Sequence, residues 1–236
     1  MNSSGKLGII GGMGPQATAY FFSRIVEHTD ANKDQEHIDI VIFNHATMPD
    51  RTKAILSGDD NLVIDKLVED AKKMEALGVE NIAIPCNTSH FFYDRVQRKV
   101  NIPIINMVHE TVAYIINHNN KINKIGIMAT DGTIQTKTYE NECIAHGVEA
   151  ILPSGEKQKI VMSIIYDEIK KGKKGSMDKF MSVVEALRAN GCDAIILACT
   201  ELSYFKQYCD LPDYCVDSMD VLVRKSIEVS GKKYKA

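Results

Sequence analysis

The chain has 236 residues, 44% hydrophobic and 25% charged, so it is long enough to bury the core of one large domain or two small ones. Its net charge of −3 gives no basic footprint, so nucleic acid is not a favoured partner. Its apolar runs fall far short of the roughly 20 residues that span a bilayer, and its first residues do not resemble a signal peptide. We therefore expect a soluble, cytoplasmic protein with no nucleic-acid or membrane partner.

Short apolar runs alternate with amphipathic stretches along the chain. In chain order they predict strand 7–10, helix 17–29, strand 38–43, helix 62–77, strand 82–84, strand 104–106, helix 108–116, strand 125–129 and helix 218–229. Strands that alternate with helices in this way indicate βαβ units and parallel sheets. The predicted fold class is therefore α/β.

Three segments of the first half recur in the second half in the same order and at nearly the same offset. Residues 6–10 resemble 124–128, residues 81–88 resemble 194–201, and residues 102–105 resemble 211–214. Chance similarity between parallel strands is the alternative to an internal duplication. A duplication predicts two pseudo-symmetric lobes, each a parallel sheet flanked by helices, with the active site in the cleft between them, because ligands bind beyond the carboxyl ends of such strands.

The repeat also predicts the lobe boundaries. We expect residues 1–110 to form the first α/β lobe and residues 111–212 to form the second. The C-terminal segment 213–236 should pack back on the first lobe through its helix, because that helix is the counterpart of helix 108–116, which leads into the second lobe.

The six cysteines differ in their surroundings. The chain contains no Cys-x-x-Cys pair and no Cys/His cluster with zinc spacing, so we expect reduced thiols and no metal. Cys86 and Cys199 each follow a predicted strand and precede polar residues, at the start of a predicted helix. The helix N-terminus there should favour a thiolate. The alternative is a buried core cysteine, and Cys143, Cys192, Cys209 and Cys215 are interpreted in that way.

Two opposed thiols can remove a proton from one face of a carbon atom and return one to the other face. The ordinary thiol pKa of about 8.5 can be tuned towards neutrality for both roles. If a pseudo-twofold axis relates the lobes, the two equivalent cysteines face each other. Cys86 and Cys199 are therefore the predicted acid–base pair.

Four motifs resemble those of the aspartate/glutamate racemase family. They are Gly-Gly-Met-Gly-Pro at 11–15 with Ala-Thr at 17–18, Met-Pro-Asp-Arg-Thr at 48–52, Pro-Cys-Asn-Thr-Ser-His at 85–90 and Ala-Cys-Thr-Glu-Leu at 198–202. The last motif departs from the family in having Ala198 where Gly is usual. Glu201 stands where glutamate racemases carry His, which favours the aspartate racemase branch.

The resemblance implies racemisation of an acidic amino acid, aspartate or glutamate, without pyridoxal phosphate, metal or nucleotide, and in a homodimer. Arg51 is expected to hold the distal carboxylate, because a guanidinium gives a fixed bidentate grip, and Lys170 is expected to supply a second cation. His90 and Glu201 are candidates for tuning the thiols. The full set of expected substrate-binding residues is Met13, Arg51, Thr52, Asn87, Thr88, Thr130, Lys170, Thr200 and Glu201.

Other functions are open at this stage. Residues 12–17 fit the G-x-G-x-x-A pattern of dinucleotide enzymes, but the second strand does not end in the acidic residue that would bind the ribose. An amino-acid-binding module would suit two lobes but would not need paired cysteines. A broad-specificity amino-acid racemase, or another isomerase or decarboxylase of the same superfamily, would use the same thiols. Thr130 could equally be only a helix cap.

Overall fold

Two parallel sheets flanked by helices organise the chain. The computed structural model describes residues 5–118 and 121–235. Internal contacts divide the chain into a first unit, Met1–Met107 with Met219–Ala236, and a second unit, Val108–Ser218. Every strand pairing within the named strands is parallel, which confirms the predicted α/β fold class.

The sheet of the first unit has the order β2-β1-β3. Its strands are β1 (Leu7–Gly11), β2 (Ile40–Asn44) and β3 (Asn81–Ala83). The central strand β1 is buried along its whole length, as expected for a parallel strand covered on both faces. The predicted strand 104–106 is reduced to a single bridge between Ile82 and Ile104. Pro103 has no amide to donate, and a helix begins only three residues after Ile104, so a longer ladder has no room.

Helices cover both faces of this first sheet. They are α1 (Pro15–His28), α2 (Arg51–Ser57), α3 (Asn61–Ala76) and α4 (Tyr93–Gln97), joined by the C-terminal helix that begins at the unit boundary. In α3 the buried residues Val63, Leu67, Ala71 and Met74 follow helical spacing, so one apolar stripe faces the sheet.

The sheet of the second unit has the order β5-β4-β6-β7. Its strands are β4 (Lys124–Ala129), β5 (Glu149–Ile151), β6 (Ala194–Ala198) and β7 (Cys215–Asp217). The helices from the boundary onward are α5 (Met107–His118), α6 (Asp131–Gln135), α7 (Thr138–Ala145), α8 (Gly155–Met162), α9 (Met177–Ala189) and α10 (Ser218–Val229). Within the described part of the chain, no helix is both long and apolar enough to cross a bilayer.

Both units have the same internal strand order. In each unit, the first strand lies in the middle and pairs with the second strand on one side and with the third on the other. The segment that follows the third strand then pairs with that third strand, through the Ile104 bridge in the first unit and through β7 in the second. This is the arrangement that an internal duplication predicts. The third sequence match, which aligned Pro103 with Pro212, needs a shift of two residues. The Ile82 amide donates to the Pro103 carbonyl, but the equivalent Ile195 amide donates to the Tyr214 carbonyl.

The predicted lobe boundaries need correction at two places. Residues 213–218 belong to the second unit, because β7 pairs with β6. Residues 108–110 belong there too, because Val108 packs into the core of the second sheet. The residues of α10 from Met219 onward lie with the first unit, where Met219, Leu222 and Val223 share a core with β1.

Candidate active site

The loop after β1 packs tightly on the end of β2. Gly12 has φ +88°, and a Cβ atom there would lie 2.3 Å from the carbonyl carbon of His45. The Gly12 amide donates to the Thr18 hydroxyl at 2.9 Å, and this hydroxyl donates to the Gly14 carbonyl at 3.0 Å. Because protein backbone fills the space beside Gly12, the glycine-rich motif is explained by packing and gives no support to a pyrophosphate site.

A buried hydrogen-bonded pair supports this loop and was not predicted from the sequence. The His45 Nδ1 atom lies 2.6 Å from Asp70 Oδ2, and Asp70 is fully buried in α3. The His45 amide also donates to the Gly11 carbonyl at 3.2 Å. The pair therefore connects α3 to the carboxyl ends of β1 and β2. The two residues are far apart in sequence, and no spacing pattern relates them.

Arg51 is the first residue of α2 and is only 9% exposed. Its guanidinium donates to the carbonyls of Met48 at 3.2 Å, Pro49 at 2.7 Å and Met13 at 3.4 Å. Within the described residues its Nε has no hydrogen-bond partner. A buried cation that is held only by carbonyl dipoles and keeps an unused donor is suited to an anionic ligand.

Cys86 follows β3 and is buried at 6% exposure. The segment after it is a 3₁₀ helix, Asn87–Phe92, in place of the predicted α-helix start. Asn87 and Thr88 are buried in this turn, and Ser89 Oγ lies 3.3 Å from Met13 Sδ. The contact joins the cysteine turn to the Met13 loop.

The first unit thus brings together six of the predicted site residues. Met13 contacts Arg51 through its carbonyl and Ser89 through its sulfur. Thr52 is buried in α2, which packs against the 3₁₀ helix. Ser89 was not predicted as a site residue, although it lies inside the motif that was recognised.

Both ring nitrogens of His90 contact backbone carbonyls. Its Nδ1 lies 3.0 Å from the Cys86 carbonyl and its Nε2 lies 3.3 Å from the Ile105 carbonyl. Burial lowers the pKa of the ring below its usual value, so a neutral ring can donate to only one of the two carbonyls at a time. The ring ties the cysteine turn to the segment before α5, which is a positioning contact.

In the second unit, Cys199 follows β6 and joins a chain of polar contacts. Its Sγ donates to Glu201 Oε2 at 2.9 Å, and the Thr200 hydroxyl donates to the same oxygen at 3.4 Å. Lys170 Nζ lies 2.6 Å from Glu201 Oε1. The structure therefore brings together all four predicted residues of this group.

The surroundings of Cys199 favour the thiol over the thiolate, and the prediction that one of the two cysteines is a thiol and the other a thiolate stays a prediction. Burial first, and then the Glu201 carboxylate, raise the pKa of this thiol well above its usual value, although Lys170 opposes the rise. The segment after it is again a 3₁₀ helix, Leu202–Gln207, so the dipole of a long helix does not act on it. Cys199 therefore carries its proton at neutral pH.

Lys170 reaches Glu201 from an irregular stretch of helix. After α8 the chain continues through a π-helical turn, Ser163–Glu168, and a 3₁₀ turn, Ile169–Lys171. Such π-helical turns are frequent at functional sites. The ammonium group lies 5.4 Å from the centre of the Tyr166 ring, so it contacts an aromatic face as well as the carboxylate.

Thr130 caps α6 in the same unit, and its hydroxyl accepts from the Thr133 amide at 3.3 Å. This contact is the one expected from the alternative interpretation of Thr130 as a helix cap. Nearby, Gln158 donates to the Ala129 carbonyl at 2.9 Å and to Asp131 at 2.8 Å. A cavity of about 390 Å³ lies beside these groups, and its walls include Tyr166. Neither Gln158 nor Tyr166 was among the predicted site residues.

The sequence profile of the Asp/Glu/hydantoin racemase family matches residues 10–226. The chain belongs to this family. The broad-specificity amino-acid racemase RacX of Bacillus subtilis (strain 168) is 24% identical over 225 residues, covering 94% of this chain and 96% of RacX.

Solved structures of racemases share the fold. The aspartate racemase of Picrophilus torridus superposes with a TM-score of 0.85 at 27% identity, covering 98% of this chain and 96% of that one. The glutamate racemase of Campylobacter jejuni subsp. jejuni superposes with a TM-score of 0.64 at 19% identity, covering 98% and 88%. The protein is an amino-acid racemase, that is, an isomerase.

Proposed function

We propose that the protein interconverts the enantiomers of an acidic amino acid by a two-base reaction in which Cys86 and Cys199 act on opposite faces of the Cα atom. The observation that carries this proposal is the equivalence of the two thiols. Each is a buried cysteine just beyond the third strand of its unit, in units of the same strand order. No pyridoxal phosphate or metal enters the proposed reaction.

The proposed chemistry conserves protons within the pair of thiols. One cysteine, as thiolate, takes the Cα proton, and the electron pair left on carbon delocalises into the α-carboxylate. The other cysteine, as thiol, delivers its proton to the opposite face. The roles are then exchanged, and the product enantiomer can react in reverse. Because burial and the Glu201 carboxylate raise the pKa of Cys199, we propose that Cys199 starts as the thiol for one enantiomer, with Cys86 as the base.

Glu201 and Lys170 allow Cys199 to exchange its proton during the proposed reaction. The thiol already donates to Glu201, and Lys170 compensates the carboxylate. When Cys199 gives up its proton, the new thiolate lies beside an ion pair and not beside an isolated carboxylate. Buried charges are tolerated only when they are paired in this way. We propose that Asn87, Thr88, Thr130 and Thr200 bind the α-carboxylate through hydroxyl, amide and backbone N–H donors, and the amino group through hydroxyl and amide oxygens that accept its hydrogen bonds.

Arg51 supports the choice of an acidic substrate. It is a buried guanidinium whose Nε donor has no partner among residues 5–118 and 121–235, and a side-chain carboxylate would accept from it. The aspartate racemase of Picrophilus torridus is a relative at 27% identity. Aspartate is therefore the first substrate to test, with glutamate second.

A broad-specificity racemase is the second candidate, and one contact favours it. Lys170, the predicted second cation for the distal carboxylate, is already paired with Glu201 at 2.6 Å. If only Arg51 is available to bind the distal carboxylate, the site discriminates less strongly against substrates with neutral side chains. RacX of Bacillus subtilis is named as a racemase of this kind.

Hydrogen exchange in deuterium oxide tests the reaction. Without added cofactor, each enantiomer of aspartate, glutamate and alanine should be incubated with the protein and followed by NMR and chiral chromatography. We expect the product enantiomer to carry deuterium at Cα. Inversion of no acidic amino acid would contradict the proposed substrate class, and inversion of alanine at a comparable rate would favour the broad-specificity candidate.

Cysteine variants test the two bases. We expect Cys86→Ala and Cys199→Ala each to lower racemisation at least about 100-fold, because general acid–base catalysis is typically worth that much. Each should still exchange the Cα hydrogen of one enantiomer, and the two variants should differ in which one. Cys209→Ala is the matched control, because Cys209 is only partly buried in the same unit. Full activity in Cys199→Ala would overturn the two-base proposal.

We further propose that the protein acts as a homodimer, as its family resemblance implies, and that it is cytoplasmic, as the lack of signal-peptide and membrane-spanning patterns in the sequence suggests. Light scattering coupled to size-exclusion chromatography measures the mass directly, and a mass equal to the 26.3 kDa of one chain would contradict the dimer. Fractionation of the native host would test the location.

A further inference from the structure

A cluster of metal-ligating side chains lies on helices α5 and α7 of the second unit, among residues that the racemisation chemistry does not use. His109 comes from the first turn of α5, whereas Glu142 and His146 lie four positions apart at the end of α7. One ligand atom from each of the three residues lies within 4.8 Å of the others. The sequence search for Cys/His zinc patterns missed this group, because one ligand is a carboxylate and the third residue comes from another helix.

The Glu142 carboxylate already lies between the two imidazoles. Its Oε1 atom is 2.8 Å from His109 Nδ1 and 3.2 Å from His146 Nε2. Ligand atoms around a tetrahedral zinc ion lie about 3.4 Å apart, since zinc binds nitrogen and oxygen at about 2.0–2.2 Å. The two distances from Glu142 Oε1 are thus below this spacing by less than about 1 Å, and the two imidazole nitrogens lie within 4.8 Å of each other.

The chemistry of the three ligands selects the kind of ion. Two neutral imidazoles and one carboxylate suit zinc and neighbouring first-row divalent ions, whereas calcium and magnesium prefer sets made only of oxygen ligands. His109 and His146 are exposed and Glu142 is partly exposed, so an ion can enter from solvent and water can complete its coordination.

We propose that His109, Glu142 and His146 bind a divalent transition-metal ion, with Zn²⁺ as the physiological candidate. The ion replaces the hydrogen bonds of the His–Glu–His chain and ties the first turn of α5 to the last turn of α7. It takes no part in proton transfer at Cα, so the proposal stands apart from the racemase reaction.

Calorimetric titration of the purified, metal-free protein with Zn²⁺ and with Co²⁺ tests the site. We expect one ion per chain, and a Co²⁺ visible spectrum without the thiolate-to-cobalt charge-transfer band, which separates this site from binding to the free cysteines. His109→Ala and His146→Ala should each weaken binding at least about tenfold, as the loss of even an outer-shell partner commonly does. Glu142→Gln should weaken it too, because the amide carries no charge.

His118→Ala is the matched control. His118 lies on α5 as well, but its Nδ1 contacts the Tyr114 carbonyl and it is not part of the cluster. We expect this variant to bind like the unmodified protein. Absence of binding, a thiolate band in the cobalt spectrum, or affinity unchanged in both His109→Ala and His146→Ala would overturn the proposal.

Discussion

Cys199 and Glu201 show how two neighbouring residues set a protonation state. A buried thiol beside a carboxylate keeps its proton, because ionisation would place two negative charges next to each other in a poorly solvated environment. Lys170 reduces this penalty from 2.6 Å on the far side of the carboxylate. The thiol is therefore prepared to act as an acid, and its pKa depends mainly on burial and on Glu201.

We predict that Glu201→Gln lowers the pKa of Cys199. The substitution keeps the shape of the side chain but removes the negative charge that opposes ionisation and that pairs with Lys170. The rate of Cys199 alkylation by iodoacetamide, followed by peptide mass spectrometry, should then rise at lower pH than in the unmodified protein. Glu156→Gln, an exposed change in the same unit, is the control. An unchanged pH profile in Glu201→Gln would show that the carboxylate does not govern this thiol.

We predict that Arg51→Ala selectively impairs acidic substrates. A charge-assisted hydrogen bond is worth about 1.5–3 kcal/mol, so kcat/KM for aspartate should fall about 10- to 100-fold, whereas that for alanine should change little. Lys53→Ala removes a cation from the same helix and should leave both values unaltered, because Lys53 is exposed. Equal losses for aspartate and alanine in Arg51→Ala would mean that Arg51 does not bind the distal carboxylate.

At the scale of the elements, local sequence patterns were enough to predict strands β1 to β4 and the position of each proposed catalytic cysteine after a strand, whereas the three-residue strands β5 and β7 were not predicted. Strand β6 is a continuous apolar run and is wholly buried. Its end, and the thiol that follows it, could therefore be located from the sequence pattern alone. The short 3₁₀ helices after both cysteines could not be predicted, because the choice between 3₁₀ and α geometry depends on tertiary packing. The contacts of Cys199 that raise its pKa, burial and the Glu201 carboxylate, also depend on this packing.

Contacts between residues that are far apart in the sequence could not be predicted. Lys170 was identified by resemblance, but its partner depends on the π-helical turn before it, which has no sequence signature that we recognised. His45 and Asp70 pair across the end of a strand and a helix and carry no shared motif. The lobe boundaries were misplaced for a related reason, since β7 is only three residues long and its pairing with β6 decides its unit.

At the scale of the whole molecule, the two units differ in how they use their cysteines. The first unit contains Cys86, and the second contains all the others: Cys143, Cys192, Cys199, Cys209 and Cys215. Burial raises the pKa of Cys143 to about 12 and that of Cys215 to about 12. These two thiols have no place in the proposed reaction, but they make the stability of the fold depend on pH.

The sign of this dependence follows from proton binding. Below about pH 8.5, the ordinary thiol pKa, both thiols are protonated in the folded and the unfolded chain, and they contribute no slope. Above it, the unfolded chain loses these protons while the folded chain keeps them, up to about pH 12 for both groups. Rising pH therefore favours the unfolded state, by about 1.4 kcal/mol per pH unit for each buried thiol.

We predict that the double variant Cys143→Ala/Cys215→Ala loses stability less steeply between pH 9 and about pH 11 than the unmodified protein does, by about 2–3 kcal/mol per pH unit. The measurement is the free energy of unfolding in urea, with reductant, at several pH values. Slopes are compared and not absolute stabilities, because the smaller side chains also leave cavities. Cys209→Ala should change the slope less, because Cys209 is only partly buried. If the double variant keeps the original slope, the two buried thiols do not hold their protons as their burial requires.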